Sequence, residues 1–289
     1  MIKKLSDFYI DKCVDIAYLL NNQPASNCAY CPKEKEHIKN DFAAIFNDEN
    51  NLMLGYFDKG VLICIFGFFV DPHTNWVDCV GPFFIRNWDI AIAMEMFDHA
   101  KIKYPHAARY NFYFDTSNEH LHQLAQSLSA TRGDNEYLLM LDKDDYKPQP
   151  IKHTVVKYNE KYRDDFICTY TKTFPNPYIS AINVLEAISK DRNVFCILDA
   201  DSAFVGFGVL KHYPGQPHAT AEIFGVDEKE RGKGYGWAVL NTALDYAIYT
   251  LHVETVDLIV DKLNINAAKL YYSCGFELKT ENAAYFIKK

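Results

Sequence analysis

The sequence predicts an α/β (α+β) chain made of two halves that repeat one order of elements, and three observations support this. Short runs of β-branched and aromatic residues alternate with stretches whose apolar residues recur at helical spacing. The same succession of helices and strands occurs on both sides of residue 150. Between the halves, Asp142-Lys143-Asp144-Asp145-Tyr146-Lys147-Pro148-Gln149-Pro150 has the charged, proline-bearing composition of a linker. The expected domains are residues 1–142 and 151–289, joined by 143–150.

In the first half, Phe8, Ile10, Cys13, Ile16, Leu19 and Leu20 have the spacing of a helix over 6–20. A polar stretch with Pro24 and Pro32 precedes a second helix over 38–46. Residues 52–57 and 61–70 read as a hairpin turned at Asp58-Lys59-Gly60. A strand over 76–84, a helix over 90–104, a strand over 109–114, a helix over 118–128 and a closing strand over 137–141 follow. The second half opens with a strand over 154–158 and a helix over 162–173, which puts Tyr162, Phe166 and Tyr170 on one face and is stopped by Pro175 and Pro177. A short helix over 184–189, a hairpin of 194–198 with 204–210, a loop over 214–218 and a strand over 220–226 come next. A glycine-rich turn then leads into a long helix marked by Val239, Leu240, Ala243, Leu244, Ala247, Ile248 and Leu251. A strand over 256–261, a helix from Asn264 and a final strand over 284–287 close the chain.

A length of 289 residues suits two domains, and 49% hydrophobic with 24% charged residues is the composition of a soluble globular protein. No apolar run is long enough to span a bilayer, and the first residues lack the apolar core of a signal peptide. The expectation is a cytoplasmic protein without a membrane partner. The net charge of −8 is uneven: residues 1–150 hold 14 basic and 21 acidic residues, and the remainder 16 and 17. This argues against a nucleic-acid partner and is compatible with a cationic amine substrate. The eight cysteines are scattered and expected to be reduced and mostly buried. Cys28 and Cys31 form a single Cys-x-x-Cys near His37, with no second pair to complete a zinc site, so no metal is expected.

The most informative stretch is Glu230-Arg231-Gly232-Lys233-Gly234-Tyr235-Gly236-Trp237, between a strand and a helix. Glycines there let the backbone approach a ligand, and the first amides of the helix lack partners while the helix dipole favours anions. This is a phosphate cradle. A Walker loop is excluded because no Ser or Thr follows Lys233, and a dinucleotide fingerprint because Trp237 stands where its third glycine is needed. The pattern that fits is Arg-x-x-Gly-x-Gly, at Arg231, Gly234 and Gly236. A second pattern, Asn-x-x-Ala-x-x-Leu-Tyr-x-x-x-Gly-Phe, is met at Asn264, Ala267, Leu270, Tyr271, Gly275 and Phe276. Together these resemble the GNAT superfamily of acyl-CoA-dependent N-acyltransferases. The resemblance implies two tandem GNAT-type domains, each a mixed, mostly antiparallel sheet flanked by helices.

The resemblance also implies roles for residues. The turn formed by Arg231, Gly232, Lys233, Gly234, Tyr235 and Gly236 would hold the pyrophosphate of acetyl-CoA, the expected co-substrate, with Asn264 as a further contact and helix cap. Phe224, Gly225 and Val226 would form the strand edge along which pantetheine lies, with Gly225 suited to a bulge or a close backbone approach. Tyr271 would protonate the leaving sulfur. Glu222, four residues before Val226, is the candidate base, and His218 is the alternative. Cys274 reads as packing. The acceptor would be a small-molecule or peptide amine, shaped by loops near 174–179 and 213–218, and the oligomeric state is not encoded in any motif. Transfer of a longer acyl group, or a non-catalytic acyl-CoA sensor or scaffold, are the competing readings.

The first half keeps the pattern without the chemistry. Counting from Asn118 as from Asn264, Leu121 falls at the place of Ala267, Leu124 at Leu270, Ala125 at Tyr271 and Ser129 at Gly275. No glycine occurs between Gly81 and Gly133, so the phosphate turn is missing. The first domain therefore reads as a degenerate copy that buttresses the second or walls part of its acceptor site.

Overall fold

A computed structural model describes residues 1–72, 74–175, 177, 179–189, 191–212 and 215–288. The chain divides into two compact units, Met1–Glu136 with Glu281–Lys289, and Tyr137–Thr280. In the first, β1 (Ile2–Lys4), α1 (Ile10–Asn21), α2 (Lys35–Asn47), β2 (Leu52–Asp58), β3 (Val61–Asp71), β4 (Trp76–Phe84), α3 (Ile90–Lys103), β5 (Arg109–Asp115), α4 (Glu119–Ser127) and β6 (Thr131–Arg132) follow in order. The β2–β3 hairpin turns through Lys59 at φ 47 and Gly60 at φ 83, the two left-handed residues that a tight hairpin requires. Antiparallel pairing joins β1 to β2, β2 to β3 and β3 to β4, whereas β4 runs parallel to β5. Phe66, Phe68, Phe97, Phe112 and Phe114 are buried in the core of this unit.

The second unit contains β7 (Glu136–Asp142), β8 (Thr154–Lys157), α5 (Arg163–Thr173), α6 (Ala181–Glu186), β9 (Arg192–Leu198), β10 (Phe204–His212), β11 (His218–Val226), α7 (Tyr235–Asp245), β12 (Thr255–Asp261), α8 (Ile265–Ser273) and the start of β13 (Glu277–Lys288). Its strands lie in the order β7-β12-β11-β10-β9-β8. One core, with Leu240 and Leu244 of α7, covers one face of this sheet; another, with Phe166 and Tyr170 of α5 and Val184 of α6, covers the other.

The division differs from a cut at residue 142. Residues 282–288 of β13 pair antiparallel with β5 and place Ala283 and Tyr285 in the first core. Conversely, β7 lies beside β12 and places Leu139 and Leu141 in the second core. The closing strands of the two sequence halves are thus exchanged. Alternating apolar residues specify that a strand has a buried face, but the free edge it joins is chosen by long-range pairing. Nor is 143–150 a detached linker: Tyr146 is buried, and its hydroxyl donates to Asp245 Oδ1 at 2.9 Å. The helix expected to run to Leu251 ends as α-helix at Asp245 and continues as a π-turn over Tyr246–Thr250. The short helix begins at Ala181, three residues earlier than its apolar spacing suggests, because Ser180 caps it by accepting from the Asn183 amide at 3.1 Å.

Candidate active site

Parallel pairing between β11 and β12 is confined to residues 218–220 against 255–257. Beyond that short ladder the strands part, and the β12-facing edge of residues 221–226 has no strand partner among the described residues. On its other edge β11 stays paired with β10 up to Val226 opposite Gly206. The gap opens toward the C-terminal ends of two neighbouring parallel strands, where open α/β sheets place ligands. The turn after β11 leads into α7, and the turn after β12 leads into α8.

At the α7 side, Gly234 is the N-cap residue with φ 88 and ψ 0, and no side chain caps the helix. Gly232 has φ 80, and a Cβ there would meet nothing within 4 Å. The amides of residues 232–237 find no backbone acceptor among the described residues. This is a row of amide donors at a helix start that no side chain caps, and it could hold an acyl-CoA pyrophosphate. In the first unit the comparable helix start is filled: Asp89 accepts from the amides of Ala91 and Ile92 at 3.0 and 3.3 Å, so α3 carries its own anion.

The charged residues of the turn are already engaged. Arg231 Nε donates to the Val226 carbonyl at 3.2 Å and ties the turn to the strand end. Lys233 Nζ lies 2.8 Å from Glu230 Oε2 in an exposed pair. Tyr235 is buried, its ring 4.5 Å from that of His153, so its side chain packs into the core instead of lining the turn. Asn264 caps α8 by accepting from the Ala267 amide at 3.2 Å.

Tyr271 lies on α8. A Cβ at Gly236 would stand 3.5 Å from Leu270 Cδ2 and 3.8 Å from Val226 Cγ2. The first turn of α7 therefore packs directly on the residue before Tyr271. Burial pushes the Tyr271 phenol up to about 12, with the nearby Cys274 adding to it, and its hydroxyl makes no hydrogen bond to the described residues. Burial likewise raises the Cys274 thiol, which accepts from Asn241 Nδ2 at 3.3 Å within the core. In the first unit, Ala125 occupies the corresponding helix position and is fully buried, while Ser129 with φ 54 matches Gly275 with φ 96 in the left-handed residue after the helix.

The bulge in β11 falls at Glu222 rather than Gly225. Val209 is opposite Ile223 and Leu210 opposite Ala221, so Glu222 is the extra residue. Gly225 keeps regular register with Phe207, and its missing Cβ makes room for that ring, which would otherwise stand 3.0 Å away. Phe224 stands over the other face, its ring where a Gly208 side chain would be. Glu222 Oε1 accepts from Arg192 Nη2 at 2.8 Å, an ion pair that sequence spacing gave no sign of. His218 sits at the closed end of the β11–β12 ladder, with Nε2 3.3 Å from Asp257 Oδ2 and Nδ1 3.1 Å from Thr255 Oγ1. Of the two acceptor loops, Asn176, Tyr178, Tyr213 and Pro214 lie outside the described residues. Among the described residues, no group of three or more His, Cys, Asp or Glu side chains could hold a metal, and no helix is long and apolar enough to cross a membrane.

Residues 159–276 match the model of the acetyltransferase (GNAT) family. No curated protein matches the chain. Among solved structures, it is similar to a GCN5-related N-acetyltransferase from Sphaerobacter thermophilus, with a TM-score of 0.78 and 12% identity over 100% of this chain and 95% of that one. It is also similar to a tandem GNAT protein from the clavulanic acid biosynthesis pathway, with a TM-score of 0.68 and 13% identity over 100% and 98% of the two chains. At such identities the likeness is one of fold. Residues 159–276 thus match the GNAT acetyltransferase family model, within a chain whose fold is shared along its length with a tandem GNAT protein.

Proposed function

We propose that the second unit transfers an acetyl group from acetyl-CoA to a primary amine by direct attack in a ternary complex. One observation carries the reading: an uncapped, glycine-lined helix start packs against the helix that bears a half-buried phenol whose proton is held tightly by desolvation. The amides of residues 232–237 hold the pyrophosphate, and the open edge of Phe224, Gly225 and Val226 receives the pantetheine arm as an added strand would be received. A backbone amide on that edge stabilises the oxyanion.

Glu222 takes a proton from the acceptor ammonium. The amine nitrogen then attacks the thioester carbon, the C–N bond forms and the C–S bond breaks. The leaving thiolate takes the Tyr271 phenolic proton, the surplus proton on the new amide nitrogen restores the phenol, and Glu222 releases its proton to solvent.

The test is an amine panel assayed for free thiol with acetyl-CoA, run on the full chain and on Tyr271→Phe. Amine-dependent thiol release that Tyr271→Phe suppresses while acetyl-CoA still shifts the melting temperature is the expected result. Thermal stabilisation by acetyl-CoA with no thiol release against any amine would assign the chain to the non-catalytic binding class instead. Faster turnover with longer thioesters would move the acyl preference away from acetyl.

A further inference from the structure

Two buried charges stand on the face of the sheet covered by α5. Arg192, at the start of β9, and Glu222, on the β11 bulge, meet at 2.8 Å with side chains only 13% and 10% exposed. Tyr170 of α5 packs nearby, its hydroxyl donating to the Ile179 carbonyl at 2.7 Å, and both charges act on its phenol. Two buried ions lose more hydration than a single contact restores unless their remaining donors and acceptors are used. Among the described residues, the donors of Arg192 are not all used. A guanidinium offers five donors in a planar fork suited to gripping a carboxylate with two parallel bonds, whereas Arg192 grips Glu222 through Nη2, and its buried Nε has no hydrogen-bond partner.

The pairing also has a chemical consequence for the base of the proposed reaction, on which this inference rests. While Arg192 holds Glu222, Oε1 of the carboxylate is directed at the guanidinium 2.8 Å away and not at a substrate. That oxygen is released when another anion takes the guanidinium.

We propose that the acceptor is a zwitterion, an amine that carries its own carboxylate, with Arg192 taking the carboxylate and Glu222 the ammonium. The Arg192–Glu222 pair is the charge complement of such a molecule, and the acceptor releases the base by replacing it as the partner of the guanidinium. Arg192 is then the residue that sets specificity. An amine without a carboxylate leaves Glu222 tied to Arg192 and reacts slowly.

The experiment uses the full chain and α-, β- and ω-amino acids, each paired with its carboxamide, which keeps the amine and removes the negative charge. Thiol release from acetyl-CoA gives kcat/KM, and calorimetry in the presence of CoA gives binding without chemistry. Each amino acid that reacts should exceed its carboxamide by about 100-fold or more, the scale on which a site built for a polar group rejects an analogue lacking it. Arg192→Gln should collapse that ratio to a few-fold while acetyl-CoA still raises the melting temperature, and Arg192→Lys should retain part of it. Carboxamides turned over as fast as their acids, or a ratio unchanged in Arg192→Gln, would overturn the inference and leave the transferase standing. Amino acids bound beside CoA with no thiol release would overturn the transferase and keep the inference, whereas no binding of either member would overturn the inference.

Discussion

A phenol can pass a proton to a leaving thiolate only while it remains protonated, and Tyr271 is held in that form by its own burial. Its folded value of about 12 lies above the ordinary 10.0, so the acid is present throughout the neutral range. The kcat profile should therefore show no alkaline decline from this group below pH of about 10; a decline near pH 8 to 9 that disappears in Tyr271→Phe would contradict the assignment. The same shift carries a sign for stability. The folded phenol holds its proton more tightly than the unfolded one, so its contribution is intact below about 10 and is lost as pH rises through about 12. Tyr271→Phe should lower kcat by about 10²–10⁴-fold, measured under saturating acetyl-CoA. Both this tyrosine and Glu222 were legible as candidates from the order of residues around them. The partner of Glu222 was not, because Arg192 lies 30 residues away on a strand two positions across the sheet.

At the scale of the element, α7 and α3 begin in opposite ways. Asp89 satisfies the first amides of α3, while α7 begins at a left-handed glycine that no side chain caps. Replacing Gly234 by alanine forces a residue with a side chain into φ 88, at about 1–2 kcal/mol, and sets its Cβ 3.3 Å from His153 Nε2. Gly234→Ala should lower the melting temperature and also shrink the further rise given by acetyl-CoA, both read in one thermal-shift series. An unchanged acetyl-CoA shift would mean that the cradle lies elsewhere. In the first unit, Asp89→Ala should cost about 1 kcal/mol through the lost cap, and chemical denaturation would read it. The glycine spacing made the turn before α7 readable in advance; the bulge at Glu222 was not, since a bulge is a mismatch between two strands and is written in neither alone.

At the scale of the molecule, the exchanged closing strands make each unit depend on residues from beyond its own half of the sequence. Residues 151–289 alone lack β7, and with it Leu139 and Leu141 from the second core. That fragment should fail to fold cooperatively, whereas truncation after Thr280 should destabilise the first unit by removing the buried Ala283 and Tyr285. Circular dichroism melting of the two truncations against the full chain checks both. A sharp transition at the native temperature for 151–289 would show that β7 is dispensable.

The sequence by itself determined the repeated order of strands and helices, the glycine turn at 231–236 and the phenol at 271, because periodicity, backbone freedom and short motifs are properties of neighbours along the chain. Only the tertiary structure decided which closing strand completes which sheet, where β11 and β12 part, and that Arg192 meets Glu222. Each of those is a pairing between distant segments, set by which edges and charges the fold brings together.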